Sequence, residues 1–156
     1  MISAKTPQST EIHMTELVLP NDTNLLGNLL GGRLMHWIDI SGAMVASRHA
    51  QKTVATVAMD SLDFRHPIKM GELVMLHAKI TWVGKTSMEV LVNVCGENLK
   101  TGEVIKTNQA FLTFVALDEQ GLPSAVPALI LETAQEQVLH AQAQDRKKAR
   151  LQRKQQ

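Results

Sequence analysis

The sequence predicts an α+β fold in which a curled antiparallel β-sheet wraps one long, buried helix. Two observations lead to this fold class. Residues 32–50 are apolar nearly all round a helix, and such a helix has to be covered on every side. Four strand-like segments joined by short turns follow it, and a fifth precedes it. Short links between successive strands favour antiparallel pairing, so the sheet must curl around the helix to cover it.

The predicted elements follow one another without a long irregular stretch. A first strand over Glu11–Leu19 ends in a cluster of turn-forming residues from Pro20 to Asn24. The central helix runs from Gly32 to Ala50, with Gly42 as its only interior break. A last helix begins at about Leu129 and continues into the C-terminal tail. The remaining strands are Thr53–Phe64, Glu72–Val83, Ser87–Asn98 and Val104–Asp118.

This order of elements is that of a hotdog fold, in which the helix is the sausage and the sheet is the bun. The 156 residues suit one domain, and the sequence has no internal repeat. We therefore predict a single hotdog domain over residues 1–128, with a C-terminal helix and a basic tail over residues 129–156.

Composition narrows the class of protein. Hydrophobic residues make up 44% and charged residues 20%, as in soluble globular proteins. No apolar run approaches the roughly 20 residues that cross a bilayer, and the first residues lack the apolar core of a signal peptide. A single cysteine, Cys95, excludes an internal disulfide and suits a reducing compartment. We expect a cytoplasmic protein with no membrane partner.

Charge is unevenly distributed along the chain. The last twelve residues hold six Lys or Arg against one acid, whereas the net charge of the whole chain is only +1. This basic tail could contact RNA, membrane or phosphate, but its composition is more typical of a solvated, frayed helix end. Aromatic residues amount to 3% and tyrosine is absent, so stacking platforms for nucleic acid are not expected.

Asp39 is the residue that does not fit an apolar helix. It stands between Ile38 and Ile40, where a carboxylate must be paired, protonated or exposed at a cleft. A hydrogen bond to Ser41 or to a threonine would satisfy it structurally. The glycine pair at the helix start, Gly31-Gly32, suggests more, because free backbone N–H groups there can stabilise an oxyanion. A carboxylate and an oxyanion site together are a constellation for acyl transfer.

Metal and phosphate chemistry find less support in the sequence. The six histidines show no ligand spacing along the chain and no Cys-x-x-Cys accompanies them, so we expect no metal site. Residues 27–32 are rich in glycine, but no Lys-Ser/Thr follows them as in a phosphate-binding loop. We expect no cofactor.

Several spaced motifs resemble the cytosolic acyl-CoA hydrolases of the hotdog superfamily. The similarity covers about residues 10–118 and begins with the run Asn21 to Gly32, followed by Asp39. It continues through Ser47-Arg48-His49, Asp63-Phe64, Pro67-Ile68, Gly71-Glu72, Gly96-Glu97-Asn98, Thr101-Gly102 and Thr107-Asn108-Gln109-Ala110. The resemblance implies hydrolysis of acyl-CoA to a free carboxylic acid and CoA, with the CoA thioester as substrate.

The same resemblance assigns roles to residues of the predicted site. Asp39 occupies the position of the catalytic carboxylate, which serves as nucleophile or as general base. Asn24 matches a functional asparagine of the preceding loop. Asn28 stands where relatives carry an acid, and with Gly31 and Gly32 it belongs to the part that positions the substrate.

Binding of CoA and assembly are also implied by the resemblance. Lys85, Thr86 and Ser87 fall where relatives contact CoA. The family forms antiparallel dimers that commonly assemble into a hexamer as a trimer of dimers. We therefore expect acyl-CoA and further copies of this chain as partners.

Helix geometry then suggests that each site is shared. Asp39 lies seven residues beyond Gly32, which is about 10 Å along a helix. A group acting on the thioester carbonyl must come within roughly 3.5 Å of the reacting atom. One helix cannot readily bring both groups to one carbonyl, but two helices related by a two-fold axis can. We expect Asn24 and the helix start from one subunit and Asp39 from the other.

Two alternatives stay open on the sequence alone. A hotdog dehydratase would need a catalytic histidine in a loop, whereas His36 and His49 lie on the predicted helix. A non-catalytic acyl-CoA-binding module would be expected to carry an effector domain, for which few residues follow Asp118.

Overall fold

A computed structural model of the chain describes residues 3–60 and 65–155. Three helices and five strands form in these residues. The helices are α1, Pro7–Thr10, α2, Gly31–Ala50, and α3, Ala134–Lys154, and a short 3-10 turn spans Pro20–Asp22. The strands are β1, Ile12–Leu17, β2, Thr53–Asp60, β3, Leu73–Val83, β4, Ser87–Glu97, and β5, Val104–Leu117. Asp63 and Phe64, part of the family motif and of a predicted strand, lie outside the described residues.

The five strands form one antiparallel sheet in the order β1-β3-β4-β5-β2. Alternate residues of β3 point to opposite faces, as a strand requires, and the fully buried set is on the face toward α2. This inner set consists of Val74, Leu76, Ala78 and Ile80. The sheet curls around α2, and the predicted hotdog fold is confirmed.

Helix α2 packs closely against the middle of the sheet. Ile38, Val45 and Ala46 are fully buried in the core. At Gly42, an added Cβ would lie 3.1 Å from two ring atoms of Phe114 on β5, so the missing side chain is what allows this approach. The contact explains the one glycine inside the predicted helix.

Among the residues that the structure describes, one side of α2 is left partly uncovered. Ile40 and Met44, one turn apart on that side, remain 38% and 39% exposed. The expectation that the helix is buried on every side is therefore wrong for a single chain. An apolar helix face of this kind is typical of a surface that contacts another molecule.

Helix α3 lies on the outer face of the sheet, opposite α2. It begins at Ala134 rather than near Leu129, because Thr133 and Glu136 form a capping box that fixes its start. Leu129 instead forms an isolated bridge with Lys5. Within the part of the chain that the structure describes, no helix is both long and apolar enough to span a membrane.

The basic tail is less solvated than its composition suggested. Arg146 forms two hydrogen bonds with Glu89 of β4, at 2.9 and 2.6 Å, and its guanidinium lies 3.6 Å from the ring centroid of Phe111. Arg150 pairs with Asp60 at 3.4 Å. The prediction of a frayed, solvated end is wrong for these arginines, because they bind carboxylates on the outer face.

Candidate active site

The loop before α2 is tied to the first turn of that helix. Asp22 is 8% exposed and accepts a hydrogen bond from the backbone N–H of Leu19 at 2.9 Å. Its other oxygen pairs with Nε of Arg33 at 3.2 Å, and its carbonyl accepts from the N–H of Leu30 at 2.8 Å. These contacts fix the loop that carries Asn24 relative to the helix start.

Asn24 shapes the loop with its own side chain. Its Oδ1 accepts from the backbone N–H groups of Leu26 and Asn28, at 2.9 and 3.1 Å. Gly27 takes a positive φ of 77°, which the tight turn between them requires. The side-chain oxygen of Asn24 is thus used within the loop, and the donor end of the amide is the end suited to a ligand.

A cavity of about 270 Å³ opens at the start of α2. Its walls include six residues that matter for the site, namely Asn24, Asn28, Gly31, Leu34, His66 and Asn108. The structure therefore brings together three of the predicted site residues. Gly32, which was also predicted to belong to the site, is the next residue of α2 after Gly31.

The helix start offers free donors beside this cavity. The N-cap residue, Leu30, provides no side-chain hydrogen bond, and the first i to i−4 bond of α2 is donated by Leu34. Across the described residues, nothing lies within 4 Å of where a Cβ of Gly32 would stand. The N–H groups of the first turn and the open space at Gly32 suit an oxyanion or an approaching carbonyl oxygen.

Asp39 lies elsewhere on the helix and is half-buried. Its Oδ1 accepts a hydrogen bond of 2.7 Å from Oγ1 of Thr56 on β2. A hydrogen bond to Ser41 or to a threonine was expected for Asp39, and the structure shows the threonine. Among the described residues around the cavity, Asp39 is not part of the wall.

Strand register shows how far apart the two parts are within one chain. Thr56 pairs with Phe114, which lies six residues beyond Asn108 along β5. At about 3.3 Å per residue, these two positions on β5 are about 20 Å apart. A single chain thus presents the helix start with its cavity in one place and Asp39 with Thr56 in another.

The predicted CoA-binding residues lie at the Asp39 side of the sheet. Lys85 is exposed in the turn between β3 and β4, where the N–H of Gly84 donates to the carbonyl of Ser87 at 2.8 Å. Thr86 and Ser87 are half-buried. Ser87 pairs with Val115, which also pairs with Ala55 beside Thr56. These residues are not near the cavity of Asn24 in the same chain.

Thr56 is the residue of the site that sequence reasoning missed. A threonine in a β-strand is unremarkable on composition, because threonine is a common strand former. Its position on the strand that directly follows the central helix was the available signal, since such a strand is placed to face that helix.

Outside this site, strand pairing brings Glu11, His13 and His77 together, with their ligand-type atoms within 4.8 Å of one another. The hydrogen bond from His77 lowers the pKa of Glu11 below its usual range, with partial burial opposing the shift. His13 lies on β1 and Glu11 just before it, whereas His77 lies on β3, far along the sequence from both. The spacing of histidines along the sequence therefore does not indicate this cluster.

Comparisons with known proteins agree with this fold. A family model described as the thioesterase superfamily matches residues 26–103. An uncharacterized acyl-CoA thioester hydrolase of Bacillus subtilis, YkhA, is 43% identical over 147 residues, which cover 94% of this chain and 86% of YkhA.

Solved structures are similar over nearly the whole chain. A hexameric acyl-CoA thioesterase in its apo form has a TM-score of 0.92 and 40% identity, with 97% of each chain covered. An acyl-CoA hydrolase of Staphylococcus aureus, solved with butyryl-CoA and CoA, has a TM-score of 0.89 and 33% identity over 97% of this chain and 92% of its own. The family match, the identities and the shared fold place this chain in the thioesterase superfamily.

Proposed function

We propose that this protein hydrolyses acyl-CoA thioesters to a free carboxylic acid and CoA, at active sites shared between two subunits. The observation that carries the proposal is the placement of Asp39. It is a half-buried carboxylate held by Thr56 on the central helix, and the cavity with the backbone donors lies elsewhere in the chain. The acyl-CoA hydrolases and thioesterases to which this chain is similar support this substrate class.

The chemistry follows from the groups at each part. The thioester carbonyl oxygen would lie against the N–H groups at the start of α2 and the amide of Asn24, which stabilise the negative charge that develops on it. Asp39 of the facing subunit would act on the carbonyl carbon from the other side. No metal is needed for these steps.

Two reaction routes are open to Asp39. As a general base, it takes a proton from water while the oxygen attacks the carbonyl, and the proton passes to the sulfur as the C–S bond breaks. As a nucleophile, it displaces the CoA thiolate to form an anhydride, which water then hydrolyses. Both routes release one acid and one CoA.

Variants of a related enzyme support the selection of residues. Three further structures of the Staphylococcus aureus hydrolase each carry one alanine, in place of an aspartate, an asparagine or a threonine. Those three residues are spaced along that chain as Asp39, Asn24 and Thr56 are along this one. We take Thr56 to belong to the active site with the other two.

The exposed apolar side of α2 supports a dimer. Ile40 and Met44 lie on that side, and Val57 of the edge strand β2 is 50% exposed. A two-fold contact over this surface would cover it and bring the α2 helices of two subunits face to face. We propose a dimer of this kind, assembled further as a trimer of dimers, in a cytoplasmic enzyme.

Lys85, Thr86 and Ser87 are proposed to bind the CoA part of the substrate. The exposed ammonium group of Lys85 suits a phosphate, and the hydroxyl groups of Thr86 and Ser87 can hydrogen-bond to it. These residues belong to the side of the sheet that carries Asp39, so they would come from the subunit that supplies the carboxylate.

One observation favours a second candidate, a hotdog dehydratase. His66 stands in the loop before β3 and lines the cavity at the start of α2. A histidine of that loop could move a proton from a 3-hydroxyacyl chain. The dehydratase would act without release of CoA.

The direct test is to follow free CoA with a thiol reagent while acyl-CoAs from acetyl to palmitoyl are supplied. We expect stoichiometric CoA release that disappears in Asp39→Asn and persists in His66→Ala. Conversion of 3-hydroxyacyl-CoA to the unsaturated thioester without thiol release would favour the dehydratase. Saturable binding of acyl-CoA with neither reaction would favour a non-catalytic module.

A further inference from the structure

The structure places two histidines and a carboxylate together at the edge of the sheet opposite to β2. His13 of β1 and His77 of β3 are direct partners in the antiparallel register. Their rings are stacked, with centroids 4.3 Å apart and planes 5° from parallel. Glu11, just before β1, lies 2.8 Å from Nε2 of His77 through Oε2.

We propose that Glu11, His13 and His77 bind a late first-row divalent cation, with zinc as the reference ion. Directly opposed side chains on antiparallel strands have Cβ atoms about 5 Å apart, a spacing at which two imidazoles can share one ion. The carboxylate supplies a third ligand on the same face. Two histidines and one carboxylate leave further positions for water or a small ligand.

Small side-chain rotations are enough to form the site. The candidate ligand atoms of the three residues lie within 4.8 Å of one another. Two nitrogens on one tetrahedral zinc lie about 3.3 Å apart, as follows from Zn–N bonds of about 2.0–2.1 Å. His13 is exposed and the side chain of His77 is 37% exposed, so both rings can rotate enough to bring their nitrogens to that separation.

Neighbouring charges indicate which ions the site would select. Lys79 follows on the same face of β3, and its charge is partly offset by Glu136 at 3.3 Å. The guanidinium of Arg48 donates to the carbonyl of Glu11 at 3.1 Å. With one carboxylate and two nearby cations, the site is poor for Mg²⁺ or Ca²⁺, which need several oxygen ligands. Imidazole ligands instead suit Zn²⁺, Ni²⁺ and Cu²⁺.

The open positions of the ion would be reachable. His77 lines a cavity of about 230 Å³ between the outer face of the sheet and the start of α3. The polar residues in its walls include Lys79, Asn93, Thr133 and Glu136. The cavity lies on the outer face and away from β2, so ion binding here is separate from the chemistry at Asp39.

The experiment measures zinc uptake by the full-length protein without an affinity tag, after treatment with a chelator. Zinc is titrated against a chromogenic competitor in wild type, His13→Asn, His77→Asn and Glu16→Gln. We expect one ion per chain in wild type, with Ni²⁺ but not Mg²⁺ or Ca²⁺ competing. Loss of an outer partner of a metal ligand already weakens binding 10- to 100-fold, so each histidine variant should lose at least about tenfold. Glu16→Gln removes a carboxylate of β1 outside the cluster and should bind zinc as wild type does.

A second measurement uses the wild-type protein and therefore does not depend on whether the variants fold. Zinc added to wild-type protein should shift the ring signals of His13 and His77 in an NMR spectrum and leave those of the other histidines unchanged. Absence of stoichiometric uptake would overturn the proposal and leave a stacked pair with a surface ion pair. Uptake that survives in both histidine variants, or ring shifts confined to other histidines, would overturn it as well.

Discussion

Thr56 donates a hydrogen bond of 2.7 Å to Asp39 and thereby ties helix α2 to the edge strand β2. The bond fixes one carboxylate oxygen of Asp39, while the side chain remains half-buried. A general base or nucleophile gains from being held in one orientation, because less of its freedom has to be lost when the substrate reacts. In the proposed shared site, the pair Thr56–Asp39 would be the unit that one subunit contributes.

Replacement of Asp39 by asparagine should abolish most turnover and leave the fold intact. The amide has nearly the same shape and can still accept from Thr56, but it can neither take a proton nor attack the carbonyl. We expect kcat to fall by about 100-fold or more, as for loss of a general base. Steady-state kinetics with circular dichroism as a fold control measures this. A folded Asp39→Asn enzyme with normal kcat would exclude the assignment.

Replacement of Thr56 by valine should lower kcat more than it raises KM. Valine keeps the β-branched shape on β2 and removes only the hydroxyl that orients Asp39. A hydrogen bond to a charged group contributes roughly 1.5–3 kcal/mol, so kcat should fall by about tenfold or more. Thr56→Ser restores the hydroxyl and should recover most of the rate. Equal rates for the valine and serine variants would show that the hydrogen bond has no part in catalysis.

Arg146 should contribute to stability and not to catalysis. Glu89 is 2% exposed and its carboxylate is bound by Arg146 and by the hydroxyl of Thr81 at 2.7 Å. Arg146→Met leaves that buried charge without its cation, which should lower the free energy of unfolding by about 3 kcal/mol. Denaturant unfolding measures the loss.

The matched control for Arg146 is Arg153, which is 66% exposed and 3.5 Å from Asp60. Arg153→Met should change the free energy of unfolding by less than about 0.5 kcal/mol. The double variant Arg146→Met with Glu89→Gln should regain part of the loss, because the unpaired charge is removed. If Arg146→Met unfolds like wild type, the buried pair is not what holds α3 to the sheet.

His49 should make the protein less stable in mild acid. The ring is fully buried, and Nε2 hydrogen-bonds to the carbonyl of Pro127 at 2.9 Å. Burial lowers the pKa of His49 from its usual 6.5, partly opposed by this hydrogen bond. The unfolded chain then binds a proton that the folded chain does not, so stability falls as the pH drops below about 6.5 and levels off below the folded pKa.

Thermal unfolding between about pH 7.5 and pH 5 tests this effect of His49. His49→Gln keeps a donor for Pro127 and removes the titrating ring, so it should lose the corresponding part of the pH dependence. His36 is exposed on the same helix, and His36→Gln should keep the wild-type pH dependence. An unchanged pH profile in His49→Gln would assign the acid sensitivity to other groups.

The fold was largely predictable because its signals are local. The strand-like segments, the short turns between them and the apolar helix predicted the elements with bounds close to those observed. The start of α3 was displaced, since the capping box of Thr133 and Glu136 decides it rather than the apolar residues around Leu129. The exposed side of α2 was not foreseen within one chain, because an apolar pattern does not say which molecule covers it.

The parts of the candidate site that are neighbours in the sequence were predictable. The loop of Asn24 and the helix start are neighbours in sequence, and they meet in one cavity. Thr56 was missed since its contact with Asp39 depends on how β2 packs against α2. The grouping of His13 with His77 depends on strand register in the same way. Contacts between segments that are far apart in the sequence cannot be predicted from the order of residues alone.

In the proposed dimer, each active site draws Asn24 from one subunit and Asp39 from the other. Asn24→Ala and Asp39→Ala homo-oligomers should each be impaired, because every site lacks one component. Refolding the two variants together gives hybrid dimers, in which one site carries both lesions and the other carries neither. With random pairing, half the dimers are hybrids, so about a quarter of wild-type activity should return.

The measurement is CoA release by the co-refolded mixture, with subunit exchange verified by mass. With shared sites, we expect recovery to about a quarter of the wild-type rate, far above the mean of the two parent variants. If both residues came from one chain, every site in the mixture would remain damaged. Activity no higher than that mean, in a sample with proven exchange, would contradict the shared site.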